Sequence, residues 1–148
     1  MKSIFDPATS NEFIDRLNQL TPSTRALWGK MNVSQMLSHC QVLLKMSLNE
    51  LDAKRGLMAF LFGRMAKKKA LSDQPFKHNL PTLGEAKITG VKDFDAEKQG
   101  LIQLIKRFEA GPAVLTSRQH AFFGPMTVEE WDKLQVKHLD HHLRQFGV

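Results

Sequence analysis

The sequence has a single cysteine, no internal repeat and no long apolar run. Cys40 has no partner for an internal disulfide, which is typical of proteins in a reducing cytoplasm. The most apolar stretch, GLMAFLFG at positions 56–63, is far shorter than the roughly 20 residues that a membrane-spanning helix needs. The opening residues, MKSIFDPATSNEF, contain no apolar core and predict no secretory signal peptide. We therefore expect a cytoplasmic protein without a membrane partner.

Length and composition indicate one ordinary globular domain. The chain has 148 residues, of which 42% are hydrophobic and 24% are charged, so it can build one packed core but not two domains of normal size. We expect this domain to span residues 1–148. The formal net charge is +6, and basic residues cluster in GRMAKKKA at positions 63–70. The cluster is either a solvated basic loop or a surface for an anionic ligand, anionic lipid or nucleic acid. Because no groove-reading motif accompanies it, we expect no nucleic-acid partner.

Four stretches have the periodicity and end signals of amphipathic helices, and none predicts a paired strand. They run from about Thr9 to Leu20, from Asn32 to Leu51, from Asp93 or Asp95 to the Ala-Gly-Pro sequence at 110–112, and from Thr127 to Gly147. Thr9 with Glu12 has the spacing of a capping box, and so does Thr127 with Glu130. Asn32 is a good N-cap for the second helix.

The connection between the second and third helices is about 40 residues long, which is unusual in a compact bundle. We expect it to contain one short helix near Leu57–Ala66, followed by an extended crossover marked by prolines. An all-α fold of four amphipathic helices with one long crossover describes a four-helix bundle.

Half of the six histidines lie in the last predicted helix, in the sequence HLDHH. At about 100° per residue, His138 and His142 fall in the middle of its apolar face, whereas His141 falls at the edge of the charged face. His39 lies on the apolar face of the second helix. Three imidazoles are therefore predicted to point inward from two helices.

Two interpretations account for inward-facing imidazoles at His39, His138 and His142. Each ring is satisfied by ordinary hydrogen bonds, or the three share one divalent cation, because neutral imidazole is a good ligand for Zn, Ni or Fe(II). Burying three rings without partners would cost several kcal/mol. Three protein ligands would leave coordination positions open to water or substrate, as in catalytic sites.

Further residues carry weaker indications. Cys40 falls near the apolar face and is predicted to be an inert core thiol. His120 precedes the fourth helix, where it either reaches the mouth of the site or anchors the loop. Gln135 and Gln145 lie about one turn to either side of the histidine pair, as expected of second-shell donors. Remaining candidates are Glu50 and Glu85 as general bases, Trp28 and Trp131 as packing groups, and His78 with no indicated role.

The segments WGKMNVSQMLSHC (28–40) and FFGPMTVEEWDKLQVKHLDHHLRQFGV (122–148) resemble the DinB-like superfamily of DNA-damage-inducible DinB and YfiT-type metalloenzymes, and within it an uncharacterised bacterial branch. The resemblance implies an up-down-down-up four-helix bundle with a long crossover between helices 2 and 3. It also implies a metal bound by one histidine of the second helix and an HxxxH pair of the fourth, which here are His39, His138 and His142. DNA repair is not implied.

The function expected from these patterns is that of a metal-dependent enzyme acting on a small molecule. Relatives in the superfamily include hydrolase-like proteins, bacillithiol S-transferases and a mycothiol-dependent isomerase, so the resemblance implies a thiol-dependent S-transferase or a hydrolase. A low-molecular-weight thiol is a candidate cofactor, and the basic residues Arg64 and Lys67–Lys69 would suit an anionic one. The alternative is a non-catalytic helical bundle that binds a small molecule or a protein partner. Whether the chain forms a homodimer stays open.

Overall fold

The structure, a computed structural model, describes residues 2–148. Over this range the chain forms five α-helices and one small antiparallel sheet. The elements are α1 (Pro7–Gln19), α2 (Val33–Ser47), α3 (Leu57–Ala70), α4 (Phe94–Arg107), β1 (Gln119–His120), β2 (Gly124–Pro125) and α5 (Val128–Gln145), with two 3-10 turns at Phe108–Ala110 and Pro112–Val114. An all-α protein was predicted, and the two-residue strands are a minor addition to it. Within residues 2–148, every helix is too short or too polar to cross a bilayer.

The starts of α2 and α5 are capped as predicted. The Asn32 side chain accepts from the backbone N–H of Gln35 at 2.9 Å, and the Gln35 side chain accepts in return from Asn32. Thr127 and Glu130 form the same reciprocal pair at the start of α5. Both helices therefore begin within one residue of the predicted positions.

The capping box predicted for α1 is wrong. Asp6 is the N-cap, and its carboxylate accepts from the backbone N–H of Ala8 at 3.1 Å. Pro7 occupies the first helical position, where its fixed φ favours the helix and its missing N–H costs nothing. Thr9 therefore lies inside the helix, where it is buried.

The helices α1, α2, α4 and α5 surround the core. Helix α2 packs against α4 and α5, and α1 packs against the same two helices. The most deeply buried side chains come from all four helices: Phe13 and Leu17, Met36, Leu37 and Leu44, Leu101 and Ile105, Trp131 and Leu139. Each buried side chain of this size contributes about 1.5–3 kcal/mol. This packing fixes α2 against α5, the two helices that carry the predicted inward histidines.

Helix α3 interrupts the crossover and is longer than predicted, because it continues from Ala66 to Ala70. The basic residues Lys67–Lys69, which the sequence analysis assigned either to a solvated loop or to a surface for an anionic ligand, are the last turn of this helix. Helix α3 packs mainly against β2. The two come close at Gly63, where a Cβ atom would overlap the carbonyl oxygen of Phe122.

Candidate metal centre

Three histidine rings from α2 and α5 converge at one point. His39 lies on α2, and His138 and His142 lie one turn apart on α5. Each ring offers one nitrogen, and these three nitrogens lie within 4.8 Å of one another. The ring centroids are separated by 4.5–5.0 Å. The structure thus brings together the three rings that helical pitch selected.

Hydrogen bonds behind two of the rings fix their orientation. Nδ1 of His39 lies 2.7 Å from the carbonyl oxygen of Ala86, which can only accept, so this nitrogen carries the proton. Nδ1 of His142 lies 2.8 Å from Oε1 of Gln145, whose amide nitrogen donates to the carbonyl of Trp28 at 2.7 Å. The donation to Trp28 makes Oε1 an acceptor, so Nδ1 of His142 is also protonated. Both rings keep an unprotonated Nε2 with its lone pair free.

The spacing between His39 and His138 fits either interpretation made from the sequence. Their Nε2 atoms are 3.1 Å apart. This is the length of a hydrogen bond between one protonated and one unprotonated nitrogen. A metal that binds two imidazoles at about 2.0–2.1 Å also holds their nitrogens roughly 2.9–3.4 Å apart, for angles between octahedral and tetrahedral.

Burial keeps the three rings neutral. It lowers the pKa of His142 to about 3. It also lowers the pKa of His39, against the opposing effect of the Ala86 carbonyl. The pKa of His138 lies well below its ordinary value because burial acts together with the neighbouring rings of His142 and His39. Neutral imidazole is the protonation state that binds a cation.

The three rings line a large cavity of about 1410 Å³, above the roughly 300–1,000 Å³ typical of small-molecule sites. Its walls include apolar side chains such as Leu43, Leu134 and Phe123. Four lysines, all solvent-exposed, also line it: Lys30, Lys69, Lys77 and Lys87. Of the residues that the structure describes, no aspartate or glutamate lines the cavity. The site therefore combines neutral imidazole nitrogens with an apolar interior and a positively charged edge.

The remaining histidines also lie at or near this cavity. His141 was predicted at the edge of the charged face, but it is half-buried, lines the cavity and lies 5.8 Å from the ring of Trp28. His120 lines the cavity and anchors its loop, since its Nδ1 accepts from the backbone N–H groups of Phe122 and Phe123 at 3.1 Å. His78 stacks on Trp28 with ring centroids 3.9 Å apart.

The carboxylates proposed as general bases do not reach the site. Glu50 is paired with Arg107 on the surface, and the exposed Glu85 does not line the cavity. Cys40 is buried and its Sγ contacts Sδ of Met36 at 3.6 Å. Burial raises the pKa of this thiol far above its ordinary value, as expected of an inert core residue.

The two glutamines differ in role. Gln145 supports His142, but as an acceptor rather than the expected donor. Gln135 donates to the Leu43 carbonyl and to the Ser47 hydroxyl, so it joins α5 to α2 away from the rings. Sequence reasoning missed the contribution of Ala86, because a backbone carbonyl in a long crossover carries no signal.

The chain belongs to the family described as "Protein of unknown function (DUF1569)", whose pattern matches residues 5–147. The matched range includes all three converging histidines. No curated protein and no solved structure matches the chain significantly. Because the family description names no activity, the chemistry of the site has to be argued from its own residues.

Proposed function

We propose that this member of the DUF1569 family is a divalent-metal-dependent enzyme of transferase or hydrolase type that acts on a small molecule. One observation carries the proposal: nitrogens of His39, His138 and His142 converge within 4.8 Å of one another at the wall of a large cavity. A metal held there would have open positions facing the space in which a substrate binds.

The donor set fits a divalent ion such as Zn, Ni or Fe(II). The hydrogen bonds of His39 and His142 commit both Nε2 atoms to be acceptors. Without an ion, His138 is the only ring of the triad that can donate a hydrogen bond to the other two. Its Nε2 can supply one proton, which satisfies only one of the two acceptor nitrogens. A cation satisfies all three nitrogens at once. The carbonyl of Ala86 and the amide of Gln145 are the outer partners that orient metal-bound histidines.

When bound, the ion would lower the pKa of a water or thiol in an open position and so generate a nucleophile near neutral pH. The surrounding side chains would do the rest. His141 reaches the cavity, and burial lowers its pKa, so its neutral ring is available to accept a proton. The lysines at the edge attract an anionic substrate or an anionic low-molecular-weight thiol, and the apolar walls exclude water from the reacting groups.

We also propose that α1, α2, α4 and α5 form the up-down-down-up four-helix bundle of the DinB-like superfamily, with α3 as an addition within the crossover. The contacts of α2 and α1 with both α4 and α5 support this arrangement. The HxxxH spacing of His138 and His142 and the position of His39 on α2 support it as well.

Metal analysis of protein purified without a histidine tag tests the proposal. We expect about one Zn, Ni or Fe per chain in the wild type, and loss of that metal in His142→Ala and in His138→Ala. His78→Ala is the matched control, because it removes an exposed histidine outside the triad and should leave the metal content unchanged. A wild-type protein that contains no metal, and takes up none on titration, would refute the proposal.

A non-catalytic bundle that binds a small molecule is the second candidate. The 3.1 Å separation between Nε2 of His39 and Nε2 of His138 is equally compatible with it, since a direct hydrogen bond satisfies both atoms without an ion. This candidate predicts that a chelator leaves the melting temperature unchanged. The metal enzyme predicts a lower melting temperature after chelation, because removal of a ligand that binds the folded state lowers stability.

A further inference from the structure

We propose that α3 docks the protein on the surface of an anionic lipid bilayer. In this arrangement the outward apolar side chains of α3 enter the interface, and its basic side chains contact lipid phosphates. The inference goes beyond the proposed function and does not depend on the metal.

An ordinary surface helix turns its large apolar side chains toward the protein core. Helix α3 turns its large apolar side chains outward and packs small residues against the protein. Its inner face is made of small residues, with Ala59 and Gly63 buried and Ala66 and Ala70 half-buried. Its outer side carries six large apolar residues, with these exposed fractions: Leu57 74%, Met58 60%, Phe60 73%, Leu61 59%, Phe62 44% and Met65 68%. Only three other large apolar residues of the described chain are comparably exposed. Such a concentrated patch marks an interaction site.

The charges around the patch have one sign. Between positions 53 and 72 there are six basic residues and no acidic one. Lys67 is paired with Glu130 at 2.6 Å and so faces the protein. The other five form no ion pair with any residue that the structure describes: Lys54, Arg55, Arg64, Lys68 and Lys69.

Helical geometry places part of this charge in line with the apolar ridge. At about 100° per residue, Arg64 and Lys68 lie within roughly 40° of Leu57 on the helix circumference, on the same side as Leu61. Long basic side chains in this position lay their aliphatic stems on apolar surface and extend their charges to phosphate groups. Helices that lie in the plane of an anionic bilayer combine apolar side chains that enter the interface with basic side chains that contact the lipid phosphates.

An anionic bilayer fits this surface better than a second copy of the chain. A symmetric contact between two copies would bring their unpaired cations together, whereas lipid phosphates would neutralise them. An interfacial helix needs no membrane-spanning segment, so the absence of such a segment, which led us to expect no membrane partner, does not exclude this mode of binding.

Co-sedimentation of the full chain with vesicles tests the inference. One vesicle preparation is phosphatidylcholine alone, and the other is an equal mixture of phosphatidylcholine and phosphatidylglycerol. We expect binding to the mixed vesicles only, and weaker binding at high salt because charges are screened. Binding should persist in the presence of a chelator, so that loss of the metal and loss of docking are separate outcomes.

Two pairs of variants separate the apolar and charged contributions. Phe60→Ser with Leu61→Ser should abolish vesicle binding, whereas the matched control Leu27→Ser with Val91→Ser, at similarly exposed sites elsewhere, should retain it. Arg64→Glu with Lys68→Glu should weaken binding at least 25-fold, since each basic residue near an anionic surface contributes about fivefold. The control Arg25→Glu with Lys106→Glu changes the net charge by the same amount, but on other surfaces of the protein. It should lower vesicle affinity much less. Unchanged circular dichroism would show that each variant still folds.

Three outcomes would overturn the inference. The first is an absence of binding to mixed vesicles, and the second is equal binding to both preparations. The third is a wild-type protein that is a dimer by light scattering and binds no vesicles, together with a Phe60→Ser, Leu61→Ser variant that is a monomer. The last result would assign the same face to a second copy of the chain.

Discussion

Two hydrogen bonds behind the histidines decide which ring nitrogens face the centre. The carbonyl of Ala86 holds His39, and the amide of Gln145 holds His142. In both bonds Nδ1 carries the proton, so each Nε2 has a free lone pair that could bind a metal. The Gln145 contact was accessible from sequence because it lies three residues from His142 on the same helix. The Ala86 contact was not, because 47 residues separate it from His39.

Gln145→Ala should weaken metal binding without abolishing it. The variant removes the acceptor that holds His142 and also the donor to the Trp28 carbonyl. Loss of such an outer partner typically costs about 10–100-fold in metal affinity. Competition with a chelating dye measures this change. Gln135→Ala is the matched control: it disturbs the contact between α5 and α2 and should lower stability, but it should leave metal affinity near that of the wild type.

His120 makes stability depend on pH independently of any metal. Burial lowers its pKa from an ordinary 6.5 to about 4. The unfolded chain therefore binds more protons than the folded protein between about pH 6.5 and 4, so the free energy of unfolding falls as pH is lowered through this window. The slope reaches about 1.4 kcal/mol per pH unit for one group.

His120→Asn should reduce this pH dependence, because the Asn oxygen can still accept from the backbone of residues 122 and 123 but does not titrate. Urea unfolding at pH 6.5, 5.5 and 4.5 measures the slope. Equal slopes in His120→Asn and the wild type would show that His120 is not the source of this dependence.

At the scale of elements, capping residues predicted the start of a helix correctly where no stronger capping signal lay close by in the sequence. Asn32 and Thr127 cap α2 and α5 as their spacing indicated. In α1 the Asp6–Pro7 pair lies just upstream of Thr9 and begins the helix first. The length of α3 was underestimated because the lysines at 67–69 look like a loop by composition, yet they complement the negative end of the helix.

The docking of α3 depends on the absence of a side chain at Gly63. Because a Cβ there would overlap the carbonyl oxygen of Phe122, Gly63→Ala should either strain the contact, at a cost of about 1–3 kcal/mol, or detach α3. Faster hydrogen exchange within residues 57–70 would report detachment, and a lower free energy of unfolding would report strain. Gly84→Ala is the matched control, because a Cβ at position 84, outside any helix, meets no atom within 4 Å. If both variants behave alike, the close approach does not matter.

At the scale of the whole molecule, helical pitch predicted which side chains face inward. It did not predict the cavity that these side chains line. The positions of His39, His138 and His142 on apolar faces followed from periodicity within α2 and α5. The cavity depends on how the crossover packs over those helices, and the crossover has no periodic pattern. His141 illustrates this difference, since its place at the edge of the charged face led to a predicted surface position, whereas the crossover residue Phe76 packs against its ring at 5.5 Å.

X-ray absorption at the metal edge of untagged, metal-loaded protein would show directly what surrounds the ion. We predict three imidazole scatterers at about 2.0–2.1 Å, with one or more oxygen or sulfur ligands completing the shell, and no bound metal in a His138→Ala sample prepared in the same way. A shell of oxygen ligands alone, or one with a single imidazole that His138→Ala leaves unchanged, would contradict the proposed centre.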